Sequence, residues 1–273
     1  MKKWKITSLY YGEITGAKSF ITPGFDSDVV MAAPYIGYLL RNGDEIILVD
    51  NGIHESNIVD GKAWGGLPAI GGNKHVIDAL EKEGLKTSDI DKVMYTHLHN
   101  DHAGGALLFK DTPAYFQKDE YDNLLNQIPT QKIRSDYDAR TPGDIARLTD
   151  VYMIDGDYTM PNGLEIYKTP GHTKGGMVIV VPTEKGRYVL TGDMPHYSYC
   201  MFPLMDKVQR LDGSYVNITP MTQHLPYMFN SVIYDHWEAL DSFNLIKTVA
   251  EKYEPEYFLT GHDPWVVVRK NFG

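Results

Sequence analysis

Val93-Met94-Tyr95-Thr96-His97-Leu98-His99-Asn100-Asp101-His102-Ala103-Gly104-Gly105 sets four metal-capable side chains, His97, His99, Asp101 and His102, within six positions. Histidine occupies only 10 of the 273 residues. At that frequency, a shuffled chain carries such a cluster about one time in a thousand. The stretch opens as an apolar run that reads as a buried strand and leads past two glycines into Ala106-Leu107-Leu108-Phe109. The candidates therefore stand at the C-terminal mouth of a strand, where α/β sheets carry their sites. His97 and His99 are two apart and point the same way in extended backbone, whereas Asp101 and His102 lie past the strand end, where a turn can swing them toward a second centre. The plain alternative is a polar loop with a capping Asp101 and hydrogen-bonded histidines. Imidazole and carboxylate clustered at a strand end is the composition of a metal site.

Working outward, Ile6 to Phe20, Val29 to Leu40 and Glu45 to Asp50 read as consecutive strands joined by turns. Residues 53–72 read as a glycine-rich irregular loop holding Trp64, and Asn73 as the N-cap of a helix over Lys74 to Glu83 closed by Gly84. Ala114 to Phe116 is a short strand and Asp119 to Gln127 a helix stopped before Pro129. Further strands follow at Leu164 to Lys168, Met177 to Val181 and Arg187 to Thr191. Ser242 then caps a helix with an apolar stripe of Leu245, Ile246, Val249, Ala250 and Tyr253, and Tyr257 to Thr260 is the last strand.

One arrangement recurs: an apolar strand, a Gly or Thr, then His97, His172, Asp193 or His262. Each alone reads as a turn residue. Their repetition at strand ends suggests that they converge.

The composition, 42% hydrophobic and 23% charged, is that of a globular protein, and no linker, repeat or low-complexity segment marks a boundary. A single domain over residues 1–273 is expected. Met1-Lys2-Lys3 carries charge but no apolar region of signal-peptide type follows, and no apolar run reaches membrane-spanning length. One cysteine, Cys200, excludes an internal disulfide framework and suits a reducing, cytoplasmic compartment; it reads as a buried thiol rather than a nucleophile. The net charge of −10 and the lack of a Lys/Arg cluster disfavour a nucleic-acid partner.

The sequence resembles the metallo-β-lactamase superfamily over most of its length, through Val49-Asp50-Asn51-Gly52, Thr96 to Gly105, Thr169-Pro170-Gly171-His172-Thr173, Thr191-Gly192-Asp193 and Thr260-Gly261-His262-Asp263. The resemblance implies an α+β fold, an αββα four-layer sandwich of two mixed sheets flanked by helices, with a dinuclear metal site at one edge. It implies that His97, His99 and His172 hold one metal, that Asp101, His102 and His262 hold the other, and that Asp193 bridges. Asp50 would orient a ligand or serve as a turn former. Zinc suits such N/O donors, and manganese or iron would fit too.

Such a site suggests hydrolysis, in which a water bridging two cations becomes hydroxide and attacks a carbonyl while Asp101 or a neighbour returns a proton to the leaving oxygen. The motifs are most similar to the N-acyl-homoserine lactone hydrolases, cytoplasmic bacterial enzymes that open a lactone on quorum-sensing signals. A small lactone or ester is thus the implied substrate, and a glyoxalase II-like action on an acyl-thioester is the alternative. Two departures stand out. The lactonases carry a tyrosine three positions after the bridging aspartate, touching the substrate carbonyl; here that position is His196, with Tyr197 and Tyr199 beside it. The long segment 194–241, rich in Tyr, Met, Pro and Phe, reads as a lid over the site or as extra core, and its aromatic residues suggest a homodimer.

Overall fold

The structure, a computed structural model, describes every residue except Met1, Lys2 and 222–224. The start of the N-terminal reading and three residues of the 194–241 segment therefore lie outside the described residues. The first sheet takes β1 (Lys5–Ala17), β2 (Val30–Arg41), β3 (Ile46–Val49), β4 (Lys62–Ala63), β5 (Leu67–Ile70), β6 (Lys92–Met94), β7 (Ala114–Gln117) and β8 (Val151–Ile154). The second takes β9 (Tyr158–Thr159), β10 (Glu165–Lys168), β11 (Met177–Thr183) and β12 (Gly186–Gly192). A hairpin of β13 (Lys207–Gln209) and β14 (Tyr215–Asn217) follows, then β15 (Phe258–Thr260) in the second sheet and β16 (Asn271–Phe272) back against β1. The strand orders are β4-β5-β1-β2-β3-β6-β7-β8 and β15-β12-β11-β10-β9. Both sheets are mixed: β3, β6, β7 and β8 run parallel, as do β12 and β15, and the other pairs are antiparallel.

The strand period explains the layering. Along β2, Ile36, Tyr38 and Leu40 face the second sheet, while Tyr35 and Leu39 face the opposite way. On that outer side, α1 (Asn73–Lys82) contributes Val76, Ala79 and Leu80, and α2 (Lys118–Leu125) contributes Leu124. The short helices α3 (Pro129–Arg134) and α4 (Thr141–Ile145) continue this layer, and α5 (Ser198–Met201) precedes the hairpin. On the far side α6 (His236–Val249) packs Phe243 and Ile246 against the second sheet, and α7 (Pro264–Arg269) follows β15. The middle strand β11 is buried on both faces and so reads Met-Val-Ile-Val-Val without alternation. Each such buried aliphatic side chain contributes about 1.5–3 kcal/mol, which favours the double covering. The result is an αββα sandwich.

Several sequence expectations are corrected. The 53–72 loop contains the β4–β5 hairpin, whose strands of two and four residues are too short to show alternation. The N-cap of α1 is Gly72 rather than Asn73, and the Glu55 carboxylate accepts the Asn73 N–H at 3.1 Å from 18 residues upstream, out of reach of any local pattern. Pro129 opens α3 instead of merely ending α2. Ser242 caps nothing: Asp235 accepts the Trp237 and Glu238 N–H groups, and the Ser242 hydroxyl donates to the Pro170 carbonyl in mid-helix. Tyr253 lies beyond the end of α6.

Segment 194–241 divides. Tyr197, Tyr199, Cys200, Val208, Ile218 and Met228 form a third apolar cluster with Met31, whereas Leu204 and Tyr215 are exposed and residues 236–241 belong to α6. Among the described residues, no helix is long and apolar enough to cross a membrane.

The two sheets bring their C-terminal strand ends to one edge. β3 and β6 deliver Asp50 and the His97–His102 loop; β10, β12 and β15 lead to His172, Asp193 and His262. The close approach depends on Gly192, at φ 53°, where a Cβ would stand 2.5 Å from Thr96 Oγ1.

Candidate metal centre

All seven side chains expected as ligands converge, and all are buried. His97, His99 and His172 form one group: His99 Nδ1 and His172 Nε2 lie 3.0 Å apart and face one point. Asp101, His102 and His262 form the other, with His262 Nε2 at 3.5 Å from Asp101 Oδ2. Asp193 stands between them. Its Oδ2 lies 3.4 Å from His172 Nε2 and 4.0 Å from His97 Nε2, and its Oδ1 lies 3.1 Å from His262 Nε2 and 3.3 Å from His102 Nε2.

The outward nitrogens are held by the protein. His172 Nδ1 meets the Val232 carbonyl at 2.8 Å, His262 Nδ1 the Pro34 carbonyl at 2.9 Å, and His102 Nδ1 the Asp50 carboxylate at 2.9 Å. These contacts fix each ring so that Nε2 points inward. Inward, Nε2 of His97, His102 and His262 and an oxygen each of Asp101 and Asp193 are buried without a hydrogen-bond partner. Buried polar groups are left unpaired only at a cost, so this cluster of unpartnered ligand atoms fits the binding of divalent metal.

The protonation states agree with metal binding for the three-histidine group, whereas in the other group burial is outweighed by the surrounding carboxylates, which raise His102 and His262. Burial and the neighbouring imidazoles hold His97 and His99 well below the usual histidine range, and burial takes His172 down to about 4. These rings are neutral, the form that ligates. Burial opposes charge on Asp193, but His196, His262 and His102 outweigh it and hold the carboxyl well below its ordinary value. Burial also disfavours a charged His102, yet Asp193, Asp101 and Asp50 together raise it well above normal.

A cavity of about 540 Å³ opens over this edge, with Ile14, Met31, Ala33 and Leu67 among its apolar walls. His196, Tyr197 and Tyr199 line it as well. His196 is nearest the centre: its Nδ1 is 2.8 Å from Asp193 Oδ2 without hydrogen-bond alignment, and its ring lies 4.3 Å from that of His262. Tyr197 and Tyr199 stack on each other at 5.1 Å, with the Tyr199 hydroxyl buried and unpaired.

Sequence reasoning missed Asp136, which lines the cavity, pairs with Arg134 at 3.3 Å and accepts the Tyr234 hydroxyl. It also missed Glu120, buried behind the histidine loops. Neither sits in a motif; each reaches the site through the helical layer that follows β7.

The profile of the Metallo-beta-lactamase superfamily matches residues 37–262. Among curated relatives, an N-acyl homoserine lactonase of Bacillus cereus is 28% identical over 257 residues, covering 91% of this chain and 87% of the relative. N-acyl homoserine lactonase AiiB of Agrobacterium fabrum is 28% identical over 132 residues, 45% of this chain and 48% of the relative. A solved quorum-quenching N-acyl homoserine lactone hydrolase superposes with a TM-score of 0.72 at 25% identity, covering 96% of this chain and 93% of that one. The dizinc quorum-quenching lactonase AidC shares the fold, with a TM-score of 0.66 at 18% identity and coverage of 97% and 89%. With the profile spanning most of the chain and the histidine loops at one sheet edge, this chain belongs to the metallo-β-lactamase superfamily.

Proposed function

We propose that this protein, a metal-dependent hydrolase of that superfamily, is a dinuclear lactonase that opens small lactones of the N-acyl-homoserine-lactone type. The observation that carries the reading is the Asp193 carboxylate, one oxygen turned to the His97/His172 side and the other to the His102/His262 side, beneath a largely apolar cavity. Two bound divalent ions, zinc by donor type, would supply Lewis acidity toward the carbonyl and a nucleophilic oxygen near neutral pH.

The chain's own groups do the rest. His97, His99 and His172 would hold one ion, Asp101, His102 and His262 the other, and Asp193 both. The apolar walls take the acyl part of the substrate and exclude bulk water from the reacting carbonyl. His196, at the place where the lactonases carry tyrosine, faces the carbonyl oxygen, with Tyr197 and Tyr199 behind it. Water adds to the carbonyl carbon and yields a proton to Asp101; collapse of the adduct breaks the ring C–O bond, and Asp101 passes that proton to the leaving oxygen, giving an alcohol and a carboxylic acid that ionises at neutral pH. The relatives named N-acyl homoserine lactonases support this substrate class.

The test is metal content by plasma mass spectrometry, run with homoserine lactones, simple lactones and an acyl-thioester as substrates. Two equivalents of metal, with lactone opening abolished in Asp193→Ala, is the expected result. Faster release of thiol from the thioester than opening of any lactone would overturn the substrate class in favour of a glyoxalase II-like hydrolase.

A further inference from the structure

Glu120 is a fully buried glutamate on α2 that coordinates nothing in the proposed centre, yet its carboxylate is committed on three sides. Oε1 accepts the Leu98 N–H at 2.9 Å and the Tyr137 hydroxyl at 2.8 Å. Oε2 accepts the Gly175 N–H at 3.2 Å. Leu98 is the residue between His97 and His99, and Gly175 lies three residues after His172. The Tyr137 ring stands edge-on to the His99 ring at 4.6 Å. One carboxylate therefore ties together the backbone or packing of all three histidines in one group.

The loop is shaped for this contact. At Gly175 a Cβ would fall 2.0 Å from the Glu120 nitrogen, so only glycine lets the His172 loop close onto α2. The neighbouring Lys174 N–H is held by Asn123 of the same helix at 3.1 Å. The other group takes its orientation elsewhere: His102 from Asp50, and His262 from the Pro34 carbonyl.

We propose that Glu120 is a positioning residue that sets the His97–His99–His172 cation position selectively, leaving the Asp101–His102–His262 position to independent supports. The inference rests on the dinuclear reading above. Burying a carboxylate is costly, and three charge-assisted hydrogen bonds offset that cost only while both histidine loops stay where they are. The loops are thereby locked against the drift that weakens a metal site.

The test uses full-length protein in two backgrounds that each isolate one position: His262→Ala, which leaves the three-histidine group intact, and His172→Ala, which leaves the other. Zinc affinity is read by chelator competition with and without Glu120→Gln, which keeps the volume but turns an amide N–H toward a backbone N–H. In the His262→Ala background Glu120→Gln is expected to weaken zinc about 10–100-fold, and in the His172→Ala background to leave it within about threefold. Tyr137→Phe, which removes one donor and keeps the carboxylate, guards against a folding failure; it is expected to weaken the same position about two- to tenfold and spare the other. Equal weakening at both positions, or none at either, would overturn the proposal. Wild-type protein that takes up fewer than two equivalents would overturn the dinuclear reading itself, and this inference with it.

Discussion

Asp50 Oδ2 and His102 Nδ1 meet at 2.9 Å with both side chains almost wholly buried. The same carboxylate accepts the Thr96 N–H at 2.8 Å and the Thr96 hydroxyl at 2.7 Å, and Asp50 itself sits at a φ of 57°. Asp50 thus serves both roles open to it from sequence: it forms the turn at the end of β3 and orients an imidazole. Asparagine keeps the turn but must set an amide N–H against one of these donors, so Asp50→Asn is expected to lose 10–100-fold in affinity at the His102 position, about the usual effect of removing a ligand's supporting carboxylate. Chelator competition measures it, and an unchanged affinity would show that His102 needs no such support.

A second carboxylate ties the cavity wall to the 194–241 segment. Lys18, with its side chain fully buried, meets Asp26 at 2.8 Å and Thr22 at 3.0 Å, and Asp26 also accepts the N–H and hydroxyl of Thr219. Partial burial raises the Asp26 carboxyl, but Lys18 and Thr219 outweigh it and lower it below its ordinary value. A carboxyl whose folded value is depressed stabilises the fold above its unfolded pKa, and that contribution fades as pH falls through the folded value. Asp26→Asn strands a buried ammonium and is expected to cost about 3 kcal/mol near neutrality, the lower end for breaking a buried pair because Asp26 borders solvent. Denaturant melts compared between pH 7 and pH 3 check the sign: the gap between wild type and variant should narrow with acid.

The legible part of this protein was whatever the strand period and the histidine spacing encode. The apolar runs over β2 and β11 mark buried strands, the Thr96–Gly105 loop, His172, Asp193 and His262 announce the centre at strand ends, and the two-sheet sandwich is what the resemblance of these motifs implies. Long-range partners were silent. Asp50 reads as a turn former because nothing local shows His102 folding back onto it, and Glu120 carries no local mark within its helix because the N–H groups it accepts, those of Leu98 and Gly175, lie 22 and 55 residues away. The start of α6 is hidden in the sequence because its first turn carries Trp237, 83% exposed, so the apolar stripe begins later than the helix does.

Cys200 fits the reading of an inert core thiol. It is completely buried, and burial pushes the thiol up to about 12, which leaves almost no thiolate at neutral pH. Native protein is expected to resist iodoacetamide for hours and to react fully once unfolded. Cys200→Ala should keep turnover within about twofold while costing on the order of 1 kcal/mol in stability from the small void. Rapid labelling of the folded protein would contradict the packing.

His196 carries the sharpest prediction about turnover. Of the three side chains expected to assist the carbonyl, it alone stands within 2.8 Å of Asp193, while Tyr197 and Tyr199 spend their rings on each other in the third apolar cluster. A group aimed at the developing oxyanion is worth about 10²–10³ in kcat when removed, and little in ground-state binding. His196→Phe, which preserves an aromatic ring but no nitrogen, is therefore expected to lower kcat toward lactones by about that factor with KM moved far less and two equivalents of metal retained. Tyr197→Phe and Tyr199→Phe should each fall by less than about tenfold, since neither hydroxyl is placed against Asp193. Steady-state kinetics alongside metal analysis separate the outcomes. Wild-type kcat in His196→Phe would assign the oxyanion to the metal pair alone, and loss of metal would make His196 part of the ion-binding shell instead.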